Sequence, residues 1–571
     1  MKITTLLFLL FLIINPIAAQ ITISGVVVDG STNMPLAFAN IMTDKGDGSI
    51  SNEKGKFVIV TEEMPKKLNV SYVGYELKEI KLIEGEYFYP IKLKSASLEL
   101  NEIEVLASDK NAAAIFFSAI EDSRKLSTSR LHSKVFRRTY STINEGTPSE
   151  LLEAYYNSIV ADGGVFSFEL KNGRIGIPVD NHILQLDLCK ILENYNFYGN
   201  NTGYFPPTPL QEKSVKKILK DYYVRYSGSY LSAQDTILEI TFESKIKGNA
   251  FNGIAFINKN KNSIIRVVHQ VNDADHVPFQ TVLNKRGTSV EKMGLRWDTG
   301  FEYREDTILI KYMHLILDLD YMSNGERVPF KANTKLFFYD YNHPFEMPIY
   351  GENMALNDYD KILATPYNPG FWERITIIPE TGMEERFRRD LEANRHFINA
   401  DPMSGDIGLL NQKYQLIDLN KIPNWGRIAD SKKSTYDRQI QSNLGTDNYS
   451  CLFAKTFLAL DYNCFADTTQ FTVQAVLDYD ASYMCFRNNE EALFFIKFLQ
   501  IADLHAKELE KELHEKYKQN CPNKIELEQE LSATEKAMRK EIFARLNGRN
   551  NRTKEYLEEL DALLAIRKKQ L

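Results

Sequence analysis

Apolar and polar residues change their rhythm several times along this chain, and each change predicts an element. From Ile21 the stretches "ITISGVVVDG", "MPLAFANIMT", "GKFVIV" and "KLNVSYVGYELKEIKL" alternate in short runs split by Gly, Asn and Asp. Short alternating runs every 8–12 residues predict a small β-sandwich over 21–106. Gly55 and Gly74 fall in its turns, where positive φ is expected. At 109–128 the period becomes helical, and Ile115, Phe116, Ala119 and Ile120 form one stripe. Alternation then returns in a long series of strands. Among them "AFINKNKNSIIRVVHQV" reads as a hairpin about a Lys/Asn turn. These strands predict one large, mostly antiparallel, curved sheet over 130–345.

Residues 351–420 read as connection and short helices. Phe371 and Trp372 follow Pro369-Gly370 as an aromatic anchor onto the body. The helix "GMEERFRRDLEANRHF" buries Phe387 and Leu391. Two further strands, "NYSCLFAKTFLALDYN" and "TTQFTVQAVLDYDASYM", precede the long helix "ALFFIKFLQIADLHAKELEKEL" and two charged helices. Leu509, Leu513, Leu527 and Leu531 give these helices a stripe for antiparallel packing within the chain, with a coiled-coil partner as the alternative. The predicted fold class is multidomain and β-rich: an N-terminal β-sandwich (21–106), a helix plus antiparallel sheet body (107–350), a connection (351–420), and a C-terminal α+β domain with charged helices (421–571).

Composition narrows the setting. The start "MKITTLLFLLFLIINPIAAQ" has a Lys, an apolar run from Leu6 to Ile14 and small residues before Gln20. This predicts a secretory signal peptide over 1–20. The run is shorter than the ~20 residues that span a bilayer, and no transmembrane segment is expected after cleavage. The chain has 571 residues and a net charge of −7, which argues against nucleic acid as a partner. The aromatic content of 12% suits half-buried sheets. Four of the five cysteines, Cys451, Cys464, Cys485 and Cys521, cluster near the C-terminal end and are candidates for at least one disulfide in an oxidising compartment, with the pairing open. Cys189 stands apart and reads as a buried small hydrophobe.

Candidate chemistry is sparse. His269, Asp273, Asp275 and His276 lie close together in "HQVNDADH", as a metal cluster or as a polar strand end and turn, and the second is the plainer reading. Asp318 and Asp320 share a strand face, read as solvated. There is no G-x-S-x-G, P-loop or G-x-G-x-x-G. No cofactor is expected.

Two resemblances add to this. "SGVVVDGSTNMPLAFANI", "SNEKGKFVI", "VSYVGYE" and "LNEIEV" resemble the carboxypeptidase-like regulatory domain of Bacteroidota envelope proteins. That module has no catalytic residues of its own. It also precedes the plug of TonB-dependent receptors, but the remaining pattern does not supply a receptor barrel. "AAAIFFSAIEDSRKL", "EAYYNSIV" and "YNPGFWERITII" resemble the region that follows the module in many such proteins, a group with no reaction to transfer. "LQIADLHAKEL" resembles the metal-site helix of a family of secreted, zinc-peptidase-like bacterial proteins. That register puts Phe494 and Phe498 at the two histidine places and Phe495 at the glutamate place, and phenyl rings cannot bind zinc. Either the site is lost or the helix is simply apolar; both readings leave the helix without a metal site. The expectation is an exported, non-catalytic envelope protein that binds or assembles with an envelope protein or polymer, at the periplasm or outer membrane. The alternative is a secreted hydrolase with an unrecognised active site.

Overall fold

The computed structural model describes residues 21–178, 188–350, 362, 371–372, 377–398, 414–417, 452–484, 489–518, 522–547 and 554–570, apart from 46–47, 62, 97–107, 145, 194, 200–204, 233–234, 247, 275–287, 305, 324 and 466–467. The chain is β-rich, as its alternation predicts.

The N-terminal module has strands β1 (Ile21–Asp29), β2 (Asn40–Thr43), β3 (Gly48–Ile50), β4 (Lys56–Thr61), β5 (Lys67–Ser71), β6 (Lys78–Lys81) and β7 (Phe88–Leu93). They form two sheets, ordered β4-β1-β7 and β3-β2-β5-β6. Ile23, Val27, Ile41, Phe57, Leu68, Val70 and Ile91 fill the space between them. Burying such side chains gives roughly 1.5–3 kcal/mol each. Gly55 and Gly74 do take positive φ, at 73° and 92°.

The body begins with α1 (Asp109–Leu126), capped by the Ser108 hydroxyl, which accepts from the Asn111 amide. Its buried residues include Ala112, Phe116, Ala119 and Ile120. The body strands are β8 (Leu131–Ile143), β9 (Thr147–Ala161), β10 (Gly164–Gly176), β11 (Tyr222–Ser232), β12 (Asp235–Ser244), β13 (Asn252–Asn258), β14 (Ser263–Val271), β15 (Thr288–Arg304), β16 (Thr307–Ser323) and β17 (Glu326–Tyr339), with α2 (Leu188–Glu193) and α3 (Val215–Asp221) between β10 and β11. Beyond them lie β18 (Ile349–Tyr350), α4 (Gly382–Ala393) and β19 (Phe397–Ile398). One antiparallel sheet carries these ten long strands and β19, in the order β11-β12-β13-β14-β15-β16-β17-β8-β9-β10-β19.

The two faces of this sheet have different neighbours. On one, Leu152, Ile175, Leu238, Ile257, Val267, Trp297 and Leu315 pack with α1, α2 and α3 into the largest core among the described residues. On the other, Phe136, Tyr155, Tyr312 and Phe337 pack with Phe38 and Ile50 of the N-terminal module and with Ile378. They are called here the helix face and the module face.

The C-terminal part has β20 (Tyr414–Ile417), β21 (Leu452–Phe465) and β22 (Thr468–Met484), followed by α5 (Asn489–Lys516), α6 (Lys524–Asn547) and α7 (Lys554–Gln570). Its sheet runs β18-β21-β22-β20. Leu509, Leu513, Leu527 and Leu531 are buried together with Leu458, Leu460 and Val473. The leucine stripe is therefore used within the chain.

Candidate functional site

A row of polar side chains crosses the module face. Asp298 lies opposite His314, His314 opposite Lys335, Lys335 opposite Arg138, Arg138 opposite Glu153, and Glu153 opposite Arg174. Cross-strand register thus puts six polar residues from six adjacent strands side by side. Lys335, Arg138, Glu153 and Asp298 are buried. A buried charge must be paired, and here each is. Arg138 Nε donates to Glu153 Oε1 at 2.7 Å, and its NH1 donates to the Ile378 carbonyl at 2.8 Å. Arg174 Nε donates to Glu153 Oε2 at 2.8 Å. Burial pushes the Glu153 carboxyl up, but the Arg174 and Arg138 guanidiniums outweigh it and hold the group down at about 2. Arg266 of β14 extends the row as a bidentate pair with Asp298, at 3.0 and 2.6 Å.

Lys335 and Arg138 are like charges in directly opposed positions, an unfavourable arrangement alone. Carboxylates from the covering segments resolve it. The Lys335 ammonium lies 2.7 Å from Glu53 of the module and 2.8 Å from Glu384 of α4. Glu384 is aimed by its own helix start. Its other oxygen accepts from the Thr381 amide at 2.7 Å, while the Thr381 hydroxyl accepts from the Glu384 amide, completing a capping box. Asn333 links the row to the same module glutamate: its amide nitrogen donates to Glu53 Oε1 at 3.1 Å, and its Oδ1 accepts from His314 Nε2 at 2.9 Å.

The module is tied to this row by shape as well as charge. Phe38 stacks on Tyr312, with centroids 5.1 Å apart, and meets His314 at 4.7 Å. Its φ is +63°, a left-handed conformation that a bulky residue holds only where its surroundings over-determine it. The Ser49 hydroxyl donates to the Ile377 carbonyl at 2.9 Å, and Asn52 Nδ2 donates to the Pro379 carbonyl at 3.1 Å. Arg266 NH1 donates to the Tyr72 hydroxyl at 3.3 Å. Phe371 and Trp372 meet Tyr155 at 4.8 and 5.5 Å, so the expected aromatic anchor does sit on the body.

The residues singled out from sequence fall elsewhere. His269 is fully buried on the helix face among Trp297, Tyr195, Phe197 and Phe251. This corrects its reading as part of a polar strand end: β14 alternates, and position 269 takes the apolar side. Asp273 is exposed, so the pair does not converge, and Asp275 and His276 lie outside the described residues. Asp318 is exposed, whereas Asp320 is largely covered and pairs with Arg327. Phe494, Phe495 and Phe498 lie within α5, and their side chains are outside the described residues. So are Cys451, Cys485 and Cys521 and the Cys464 side chain. Cys189 is buried, and its sulfur lies 3.3 Å from Arg137 NH1. Among the described residues, no three His, Cys, Asp or Glu converge as a metal-binding set.

Sequence reasoning missed the row itself. Its signal was present in "FRRTY", "LLEAYY", "RWDTG" and "NTKLFF", where charged residues interrupt otherwise uncharged strand runs. Alternation alone reads them as solvated; burial under a second domain is a tertiary fact.

A search of curated proteins finds no match. Among solved structures, the crystal structure of MucB aligns with 39% of this chain and 92% of its own, at 6% identity and a TM-score of 0.16. A DUF1329 family protein from Desulfovibrio piger aligns with 41% of this chain and 90% of its own, at 8% identity and a TM-score of 0.16. The family described as CarboxypepD_reg-like domain matches residues 23–105, and the chain therefore carries a domain of that kind at its N-terminal end.

Proposed function

We propose that this is an exported, non-catalytic protein of a Bacteroidota-type cell envelope, in which the regulatory-like module braces a binding body. The observation that carries this reading is the buried row under the module. A general acid or base needs a proton affinity matched to neutral pH and a route to substrate. Glu153 is held near 2 between two guanidiniums, and Lys335 is shared between two carboxylates beneath another domain. Such groups fix geometry and are poorly placed to transfer protons. The role that remains is binding or assembly, with an envelope protein or polymer as partner at the periplasm or outer membrane.

In the C-terminal part, Phe494, Phe495 and Phe498 stand where the zinc-peptidase-like register would put two histidines and a glutamate; a lost site and a plain apolar helix both leave that helix without zinc ligands at these positions. The signal-like start of the chain supports export. Fractionation of cells making the full chain with a C-terminal tag tests the location. The processed protein should leave the cytoplasm; retention there at full length rejects it. Metal analysis of the purified protein tests the rest, and one zinc per chain would reject the non-catalytic reading.

A further inference from the structure

Phe38 of the module lies over His314 of the body, with ring centroids 4.7 Å apart. The hydrogen bonds beside it fix where the imidazole carries its proton. Asn333 Nδ2 donates to Glu53 Oε1, so Asn333 Oδ1 is the atom that faces His314 Nε2 at 2.9 Å. An amide oxygen only accepts, and Nε2 therefore holds the hydrogen of the neutral ring. A second proton enters at Nδ1. His314 is only partly buried, which leaves that proton a path from solvent.

The charges around this ring are already matched. Asp298 faces it from β15 and Lys335 from β17. Glu53 of the module and Glu384 of α4 both lie on Lys335. Asp298 accepts two bonds from Arg266 and one from the Tyr312 hydroxyl. Glu153 lies between Arg138 and Arg174. Four carboxylates thus meet four cations, and Arg296, two residues before Asp298 on the same strand face, adds an exposed fifth cation. A proton on His314 brings a charge that none of these carboxylates is free to offset, directly opposite Lys335. Burial holds the imidazole below its ordinary 6.5, against the pull of Glu53, Asn333 and Asp298.

We propose that the contact among Phe38, Glu53, His314 and Lys335 is an acid-released latch, in which a proton on His314 favours separation of the N-terminal module from the body. The rest of the contact suits reversal. Around Phe38 and Ile50 it is polar: Ser49 bonds the Ile377 carbonyl, Asn52 the Pro379 carbonyl, and Tyr72 meets Arg266. A polar contact between domains holds less firmly than a wide apolar one. The released imidazole is solvated and takes up its proton at the ordinary 6.5, whereas the docked one takes it up less readily. Docking is therefore at full strength above 6.5 and weakens below it. Glu53 acts in the same direction further down. Burial pushes its carboxyl up, but Lys335 outweighs this and holds it below 4.5, so its share is lost only under that value. The inference deepens the brace reading by making the brace releasable: a module that stays docked at every pH rejects the latch and leaves the brace standing.

Hydroxyl-radical labelling of the full chain, read residue by residue by mass spectrometry at about pH 7.5 and about pH 5.5, tests it. Phe38 and Tyr312 are buried in the contact itself. Phe57 in the module core and Phe116 in the body core report unfolding instead. Labelling of Phe38 and Tyr312 should rise about tenfold at the lower pH, as expected when only the released form binds a proton at 6.5, while Phe57 and Phe116 stay protected. The rise should vanish in His314→Gln, whose amide nitrogen can still donate to Asn333. If that variant fails to fold, hydrogen exchange at the imidazole C2 of the wild-type chain supplies the check: His314 should titrate over the range in which labelling rises. Flat labelling, an equal rise at Phe57 and Phe116, a rise that survives His314→Gln, or a His314 titration that does not track the rise would each overturn the latch.

Discussion

The ammonium of Lys335 lies 2.7 Å from the carboxylate of Glu53, although the two residues belong to different domains and the lysine is 1% exposed. This pair closes the row that runs across β15, β16, β17, β8, β9 and β10. Breaking one side of a buried pair leaves the other charge stranded. Lys335→Met should therefore destabilise the chain by about 3–5 kcal/mol in urea unfolding. Adding Glu53→Gln should recover most of the loss, because one positive and one negative charge are then removed together, while Glu384 keeps its capping box and its charge beside Arg138. A double variant as unstable as the single one would refute the pairing account.

Glu153 predicts an acid limit. Its folded pKa of about 2 lies below the ordinary 4.5. The unfolded chain therefore takes up the proton first as pH falls. The stabilisation is complete above 4.5 and is lost on the way down to about 2, a change on the order of 3 kcal/mol. Glu153→Gln should be less stable at neutral pH and should show a shallower fall between those limits. An unchanged slope would remove Glu153 from the acid transition.

His269 predicts a separate window. Burial lowers its pKa from 6.5 to about 3, against a smaller opposing pull from Asp298 on the other sheet face. Only the unfolded chain takes up this proton between those values, so stability falls as pH drops below 6.5. At about pH 5 the loss is about 2 kcal/mol. His269→Phe should abolish that part of the pH dependence while leaving the Glu153 part in place. A wild-type protein whose stability is flat from about pH 6.5 to about pH 5 would contradict the buried, neutral imidazole.

Phe38 gives a paired prediction. Phe38→Ala loses the stacking on Tyr312 and His314 yet keeps the left-handed backbone, at a cost of about 3 kcal/mol. Phe38→Gly loses the same ring but relieves the backbone, and should be about 1 kcal/mol better than alanine. Both should raise the rate of proteolysis at the module boundary. If alanine proves the better substitute, the strain at position 38 is not held by the docking.

Local elements were legible in the residues alone. The alternation of "ITISGVVVD" and "SIIRVVHQV", the stripe of Phe116, Ala119 and Ile120, and the leucines from Leu509 to Leu531 give strands and helices where they occur, because a period of two or of 3.6 residues decides which side chains share a face. The glycines at 55 and 74 mark turns for the same local reason. What a face meets is not local. Lys335, Arg138 and Glu153 look like solvent positions until the module and α4 cover them, and His269 looks like part of a polar turn until β15 brings Trp297 beside it. Burial and pairing depend on partners tens to hundreds of residues away. Packing between distant segments settles which polar residues are wet and which are paired.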